Sequence, residues 1–146
     1  MTGWEGFGEG LAQQLSTLAA ESVLIIRDSG PTNRYVQFLQ TDSRLLAELV
    51  SDHWLEPAVR AGESGARLIA EAGWRQPEST VPDGNWETSL DWPSPARDYR
   101  RLAAMSVAGL RDGLRISGPE ALVYDAWSPP GNRPLRLPLL GIEPKA

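Results

Sequence analysis

Apolar residues at the start of the chain are spaced three and four apart, which is the pattern of an amphipathic helix. This stripe consists of Trp4, Phe7, Leu11, Leu15 and Leu18. Four glycines between positions 3 and 10 weaken the first half, since each costs about 1 kcal/mol relative to alanine. The pattern therefore predicts a firm helix from Glu9 to Ala20 with a frayed or adaptable start.

Two short segments after this helix have the patterns of β-strands. Residues 22–28 contain four consecutive aliphatic side chains bounded by turn residues, which is typical of a buried strand. Residues 34–40 alternate between two faces, which carry Val36 and Phe38, and Tyr35, Gln37 and Leu39. The turn-forming residues between the two segments predict a β-hairpin.

Residues 44–50 fit two different structures. As a helix, the segment would be capped by Asp42 or Ser43 and would carry its apolar side chains on one face, namely Leu45, Leu46, Leu49 and Val50. As a third strand, it would direct Leu45, Ala47 and Leu49 to one face. Propensity favours the helix, and the pattern alone leaves both structures open.

A second helix is predicted over residues 63–72. Its inward side chains would be Leu68, Ile69 and Ala72, and Gly73 would end it. The following residues, 76–93, contain three prolines and Gly84. We expect a long loop there, with a turn at residues 82–85.

The clearest helix pattern follows this loop. Ser94 is the expected cap and Pro95 the first helical residue. The apolar stripe consists of Tyr99, Leu102, Ala103, Val107, Leu110 and Leu114. Three arginines near its start, Arg97, Arg100 and Arg101, lie mainly off the stripe, and we interpret them as a solvated face rather than an anion site.

The end of the chain combines a further helix pattern with a proline-rich tail. Residues 119–127 predict a short final helix anchored by Leu122, Val123 and Trp127. From Ser128 onward prolines are frequent, but so are leucines, which makes the tail too apolar for a simple linker. It is expected to form an edge strand, or an arm laid on the domain or on a partner.

Composition narrows the classes of protein that fit these elements. The chain has 146 residues and a formal charge of −5, which suits one domain and disfavours binding to nucleic acid. It has no cysteine, so disulfides and thiolate zinc sites are excluded. The pattern contains no membrane-spanning helix and no secretory leader, and we expect a cytoplasmic protein.

The chemistry-bearing residues give no strong catalytic motif. His53 is the only histidine, so a hydrolytic site would depend on it, with Asp52 or Glu48 as its acidic partner. A hydrogen-bonded structural histidine is the more common alternative. The glycines at positions 6, 8 and 10 follow no strand, which disfavours a phosphate loop. We therefore expect no catalytic residue, no cofactor and no metal site.

Tryptophan is the one unusually frequent residue, with six in the chain. Tryptophan is enriched at the centres of protein interfaces. Trp86 and Trp92 lie in the predicted long loop and are the better candidates for a partner-binding surface. The alternative is that each tryptophan clamps a loop onto a small domain.

Several segments in this order resemble the actinobacterial TY-Chap domains, a group within the YbjN and type III secretion chaperone-like superfamily. The similarity covers residues 4–127 and leaves out the proline-rich tail. The matching segments are the opening helix, RYVQFLQ, LLAELVSDHWLEP, LIAEAGWRQP, NWETSLDWP and the long helix after it. In that family the third segment is a strand, so the resemblance implies that residues 44–51 form a strand.

The resemblance implies an α+β fold in which helices pack on an antiparallel β-meander, with residues 1–127 as one domain and residues 128–146 as its tail. It also implies a non-catalytic chaperone or adaptor that holds a protein partner, often as a dimer. The surface would be an exposed sheet face or an apolar groove, for which we name Tyr35, Leu39, Trp86 and Trp92. A small regulatory domain with a ligand pocket between the sheet and the long helix is the alternative.

Overall fold

Helices and strands are interleaved along residues 3–78, 80–81 and 83–145, which the computed structural model describes. The α-helices of this part are α1 (Gly3–Ser16), α2 (Gly62–Ala72) and α3 (Ala96–Ala108). The strands are β1 (Val23–Asp28), β2 (Tyr35–Gln40), β3 (Arg44–Leu49), β4 (Trp86–Asp91), β5 (Leu122–Ser128), β6 (Arg133–Pro134) and β7 (Glu143–Pro144). This arrangement confirms the predicted α+β class.

The strands form one sheet in the order β4-β3-β2-β1-β5-β6. Neighbours in that series are antiparallel, and β7 pairs in parallel with β5. β1, β2 and β3 form the predicted meander, and the strand implied by the resemblance for the third segment is confirmed. Its pairing with β2, which places Leu45 opposite Gln40 and Leu49 opposite Val36, overrides the local helix propensity.

Two further strands correct the sequence predictions. The loop predicted over residues 76–93 is wrong for residues 86–91, which form β4 along β3. The final helix predicted over residues 119–127 is also wrong. Within this segment the helical part is limited to one 3₁₀ turn, Pro119–Ala121. The residues after it form β5, which pairs with β1 inside the sheet.

The helix ends also differ from their predicted positions. α1 begins at Gly3 and ends at Ser16, so it starts and stops earlier than expected. Ser94 does not cap α3, because its hydroxyl donates to the carbonyl of Asp91. In α2 the inward residue is Ile69, whereas Leu68 is 43% exposed. At the predicted turn, the Gly84 N–H donates to the Val81 carbonyl at 2.9 Å, and Pro82 lies outside the described residues.

The hydrophobic core lies between the helices and one face of the sheet. Every second residue of β1, β2 and β5 is buried, as expected for strands covered on one side. The sheet contributes Leu24, Ile26, Val36, Phe38, Leu45, Leu49, Trp86, Leu90, Leu122 and Tyr124 to this core. The helices contribute Phe7, Leu11, Leu15, Ile69, Leu102 and Leu110.

The chain after Ser128 packs back onto the rest of the molecule. Leu137 and Leu140 are buried in the core, and the Leu137 N–H donates to the Tyr124 hydroxyl at 3.0 Å. Next to them, the Leu139 N–H donates to the side chain of Gln14 in α1 at 3.0 Å. This contact needs a glycine, because a Cβ at Gly10 would lie 1.7 Å from the Leu139 carbonyl oxygen.

A buried ion pair ties the β1–β2 turn to the segment after α3. Arg34 Nη2 donates to Asp28 Oδ2 at 2.8 Å, and Arg34 Nη1 donates to the Leu114 carbonyl at 2.8 Å. Burial raises the pKa of Asp28, but hydrogen bonds from Thr32, Gly30 and Arg34 and the charge of Arg34 outweigh it. The pKa of Asp28 therefore lies below its ordinary value, and the folded state favours the ionised carboxylate.

Replacing Asp28 should destabilise the protein in a pH-dependent way. Asp28→Asn leaves Arg34 without its counter-charge and should lower the free energy of unfolding at pH 7 by about 1–3 kcal/mol. Because the folded pKa is lowered, the stabilisation is present above the ordinary pKa of about 4 and is lost as the pH falls through the folded value. Urea unfolding between pH 2 and 7 measures the difference, with exposed Asp42→Asn as control. Equal pH profiles for the two variants would contradict it.

Adding a methyl group at Gly10 should displace the tail from α1. Gly10→Ala should lower the free energy of unfolding by about 1–3 kcal/mol, because the clash is with backbone atoms. Gly8→Ala is the matched control, since a Cβ there would meet Val107 Cγ2 at an ordinary 3.5 Å and helix propensity improves by about 0.5–1 kcal/mol. Chemical denaturation compares them, and similar stabilities would argue against the tail contact.

Candidate functional site

The sheet face opposite the helices carries a continuous apolar row. Direct strand pairing places Trp127 beside Val23, Val23 beside Leu39, and Leu39 beside Leu46. Opposed residues in neighbouring strands share a face, so the row crosses β5, β1, β2 and β3. None of its four members belongs to the buried core or packs against it. We call these four residues the apolar row.

A second, more polar row lies beside the apolar row, and its members are two residues away from the apolar ones along each strand. Ile25 lies between Asp125 and Gln37, Gln37 lies beside Glu48, and Glu48 lies beside Glu87. Three of these five side chains are carboxylates, and we call the five the acidic row. Glu87 also pairs with Arg75, both of them largely exposed, at 2.6 Å.

Basic residues near the acidic row reduce its charge only in part. Arg27 lies in the next row, opposite Tyr35 and Val123. Arg44, opposite Asp91, lies at the far side of the apolar row. The face as a whole therefore keeps an acidic balance, in the same direction as the formal charge of −5 of the chain.

A polar cluster orders one end of this face. Asn85 Nδ2 donates to the Tyr35 hydroxyl and to Glu48 Oε1, both at 3.1 Å. Its Oδ1 accepts the N–H of buried Ser51 at 3.0 Å. Because one amide side chain joins three groups, Tyr35 and Glu48 are held in fixed positions at the edge of the two rows.

The four residues named from the sequence as a partner-binding surface occupy different environments. Leu39 lies in the apolar row, and Tyr35 lies on the same face, four residues before it in β2. Trp86 faces the core and is 5% exposed, because the segment thought to be a loop is β4. Trp92 is half-buried just beyond β4, and its backbone N–H donates to the Ser43 carbonyl at 2.9 Å.

Sequence reasoning missed three members of the apolar row. The sequence pattern predicts a helix around Trp127, and it leaves Leu46 in a segment that fits either a helix or a strand. Val23 belongs to a run predicted to be buried, but it is only partly buried in the structure. The sequence signal that could have placed Trp127 outward is the polar Asp125 between Tyr124 and Ala126, because period-two alternation puts Trp127 on the same face as Asp125.

The geometry around His53 lacks the contacts that a catalytic histidine needs. His53 is exposed and packs edge-on against Trp54, with ring centroids 4.8 Å apart. Both carboxylate oxygens of Asp52 accept backbone N–H groups at the start of α2, from Ala61 at 2.7 Å and from Gly62 at 3.0 Å. Over the described ranges no carboxylate hydrogen-bonds to His53, and no group of three or more potential metal ligands occurs.

The region between the sheet and α3, where a ligand pocket was the alternative prediction, is packed with core side chains. Phe38, Leu102 and Leu110 there are at most 1% exposed. A surface cleft of about 290 Å³ lies instead beside Asp52 and His53, and a groove of about 630 Å³ lies between α1 and α3. In the part of the chain that the structure describes, no helix is both long and apolar enough to cross a membrane.

Helices on one face of an antiparallel sheet, with the second face open, define an α+β domain. The chain belongs to the TY-Chap3 family, whose description is "T3SS (YopN, CesT) and YbjN peptide-binding chaperone 3", and the family model matches residues 1–128. The resemblance found in the sequence is thereby confirmed, and it supports a chaperone-like role in binding peptides or proteins. Neither a curated protein nor a solved structure matches the chain significantly.

Proposed function

We propose that this protein is a non-catalytic chaperone that binds a short segment of a client protein on the open face of the sheet. The observation that carries the proposal is the apolar row, which crosses four strands without packing against the core. A contiguous apolar surface with a polar border is typical of a protein-binding site. Membership of a peptide-binding chaperone family supports the same conclusion.

The dimensions of the apolar row indicate the length of client that it binds. Its members lie on four adjacent strands, and three strand spacings of about 4.8 Å give a row about 14 Å long. An extended segment of about five residues covers this length. Each apolar side chain that the client and the row bury together contributes roughly 1.5–3 kcal/mol before the cost of ordering the segment.

The acidic row indicates the chemistry beside the client's apolar residues. Asp125 and Glu48 are partly buried and Glu87 is exposed, and the three carboxylates border one side of the apolar row. A client with Lys or Arg next to its apolar residues would gain complementary charge pairs and associate faster at low salt. The proposed client is therefore an apolar segment bordered by basic residues.

Substituting the centre of the apolar row should weaken client binding without unfolding the protein. Leu39→Asp removes apolar contact and places a carboxylate, which is costly to bury, where a client leucine would pack, so we expect affinity to fall about tenfold or more. The probe is a fluorescein-labelled seven-residue peptide in which Leu and Lys alternate, followed by fluorescence anisotropy. Leu68→Asp, on the exposed side of α2, is the matched control and should bind normally.

A second peptide measures how much charge contributes to client binding, apart from the apolar contacts. A peptide with Glu in place of each Lys should bind the native protein more weakly, and added salt should reduce this difference. Thermal unfolding of Leu39→Asp shows whether the fold is kept. Unchanged binding by Leu39→Asp, or equal binding of the Lys and Glu peptides, would contradict the proposal.

A further inference from the structure

The groove between α1 and α3 lies in the helical layer, on the other side of the molecule from the apolar row. It is open to the surface and has a volume of about 630 Å³. Four of the residues that line it are small, namely Gly8, Ala12, Ala103 and Ala104. Because these residues do not fill the space between the two helices, the surface there stays concave.

The close approach of the two helices explains why the groove exists. Gly8 faces α3, since a Cβ there would lie 3.5 Å from Val107 Cγ2, at ordinary van der Waals distance. Val107 and Ala103 are buried beneath the groove, whereas Ala104 is exposed at its side. Two helices that approach over small residues leave a shallow channel along their outer sides, and a third helix can pack its ridge of side chains into such a channel.

The two walls of the groove carry opposite charges. Glu5 and Glu9 lie one turn apart on the α1 wall, and both are exposed. Arg100 of α3 and Arg111 of the π-helical turn Gly109–Gly113 that follows α3 lie on the opposite wall. Arg111 already holds Asp112 through two hydrogen bonds of 2.8 and 2.9 Å, whereas Arg100 forms no ion pair within the described ranges.

We propose that this groove docks one amphipathic helix of a partner protein, with a narrow apolar stripe between a basic edge and an acidic edge. The basic edge would face Glu5 and Glu9, and the acidic edge would face Arg100. A helix laid into an apolar groove and positioned by charges at its rims is a recurring mode of peptide recognition. The groove would give the protein a second docking surface, independent of the proposed client site on the sheet.

Two other occupants fit the groove less well. A second copy of the chain would present the same concave surface, and two concave surfaces leave a void between them. A small molecule would need polar groups converging on an enclosed cavity, whereas the charges here lie on opposite rims of an open channel. A convex helix with oppositely charged edges fits both the shape and the charge.

Two stapled helical peptides of equal composition test the proposal. In the first, an Ala/Leu stripe has lysines along one edge and glutamates along the other. In the second, both edges carry lysines and glutamates alternately, which keeps the composition and removes the charge separation. We expect the first peptide to bind the full chain about tenfold more tightly by isothermal titration calorimetry, since each rim then faces charges of one opposite sign.

Variants of the protein locate the binding site. Ala104→Trp fills the groove from an exposed position and should weaken binding of the first peptide at least about tenfold. Ala70→Trp, on the exposed side of α2, is the matched control and should bind normally. Arg100→Glu should reduce the preference for the first peptide, because that rim then carries a negative charge that repels the glutamate edge of the peptide.

The result for each variant decides between the occupants. Equal binding of the two peptides, or normal binding by Ala104→Trp, would overturn the proposal. A dimer seen by light scattering that dissociates in Ala104→Trp would make a second copy the occupant and would also overturn it. Leu39→Asp should leave helix binding unchanged while it weakens the Leu-Lys peptide, so failure of one proposed surface is distinguishable from failure of the other.

Discussion

Burial of only one face of the sheet is the constraint on which the rest of the structure depends. Side chains alternate across a strand, so packing Leu24 and Ile26 against the helices directs Val23 and Ile25 to the other side. The same alternation runs through β2 and β5, which flank β1. A shift of one residue in any pairing would exchange the two faces, and the core therefore determines which side chains form the apolar row.

The helical layer follows from the same constraint. α1 and α3 both cover the sheet. They pack against each other through small residues such as Gly8 and Ala103. Close helix packing closes the core beneath and leaves a concave groove above. The tail occupies the adjoining side of α1 at Gly10 and Gln14, which leaves the α1–α3 groove as a distinct surface. Two chemically different surfaces thus result from one two-layer packing arrangement.

Sequence patterns predicted the elements in which local and tertiary preferences agree. The β1–β2 hairpin and the long helix are examples, since their alternation or periodicity matches their final burial. The pattern of residues 44–49 fits both a helix and a strand, and only the family resemblance favoured β3 over the helix. The prolines on both sides of residues 86–91 favoured a loop over β4. The apolar residues of β5 also fit a short helix, so the pattern favoured a helix there. Pairing with neighbouring strands decides which secondary structure such segments adopt, and a local sequence pattern does not show that pairing.

The residues of the candidate surfaces were also predictable from the sequence only in part. By itself, the sequence determined the acidic charge, the absence of cysteine chemistry, the hairpin and the outward positions of Tyr35 and Leu39, because composition and strand alternation are local properties. Only the tertiary structure decided that Trp127, Val23 and Leu46 share one row with Leu39, and that Trp86 is buried. Strand order and register bring these residues together from segments far apart in the chain, and they arise when one face of the sheet is buried against the helices.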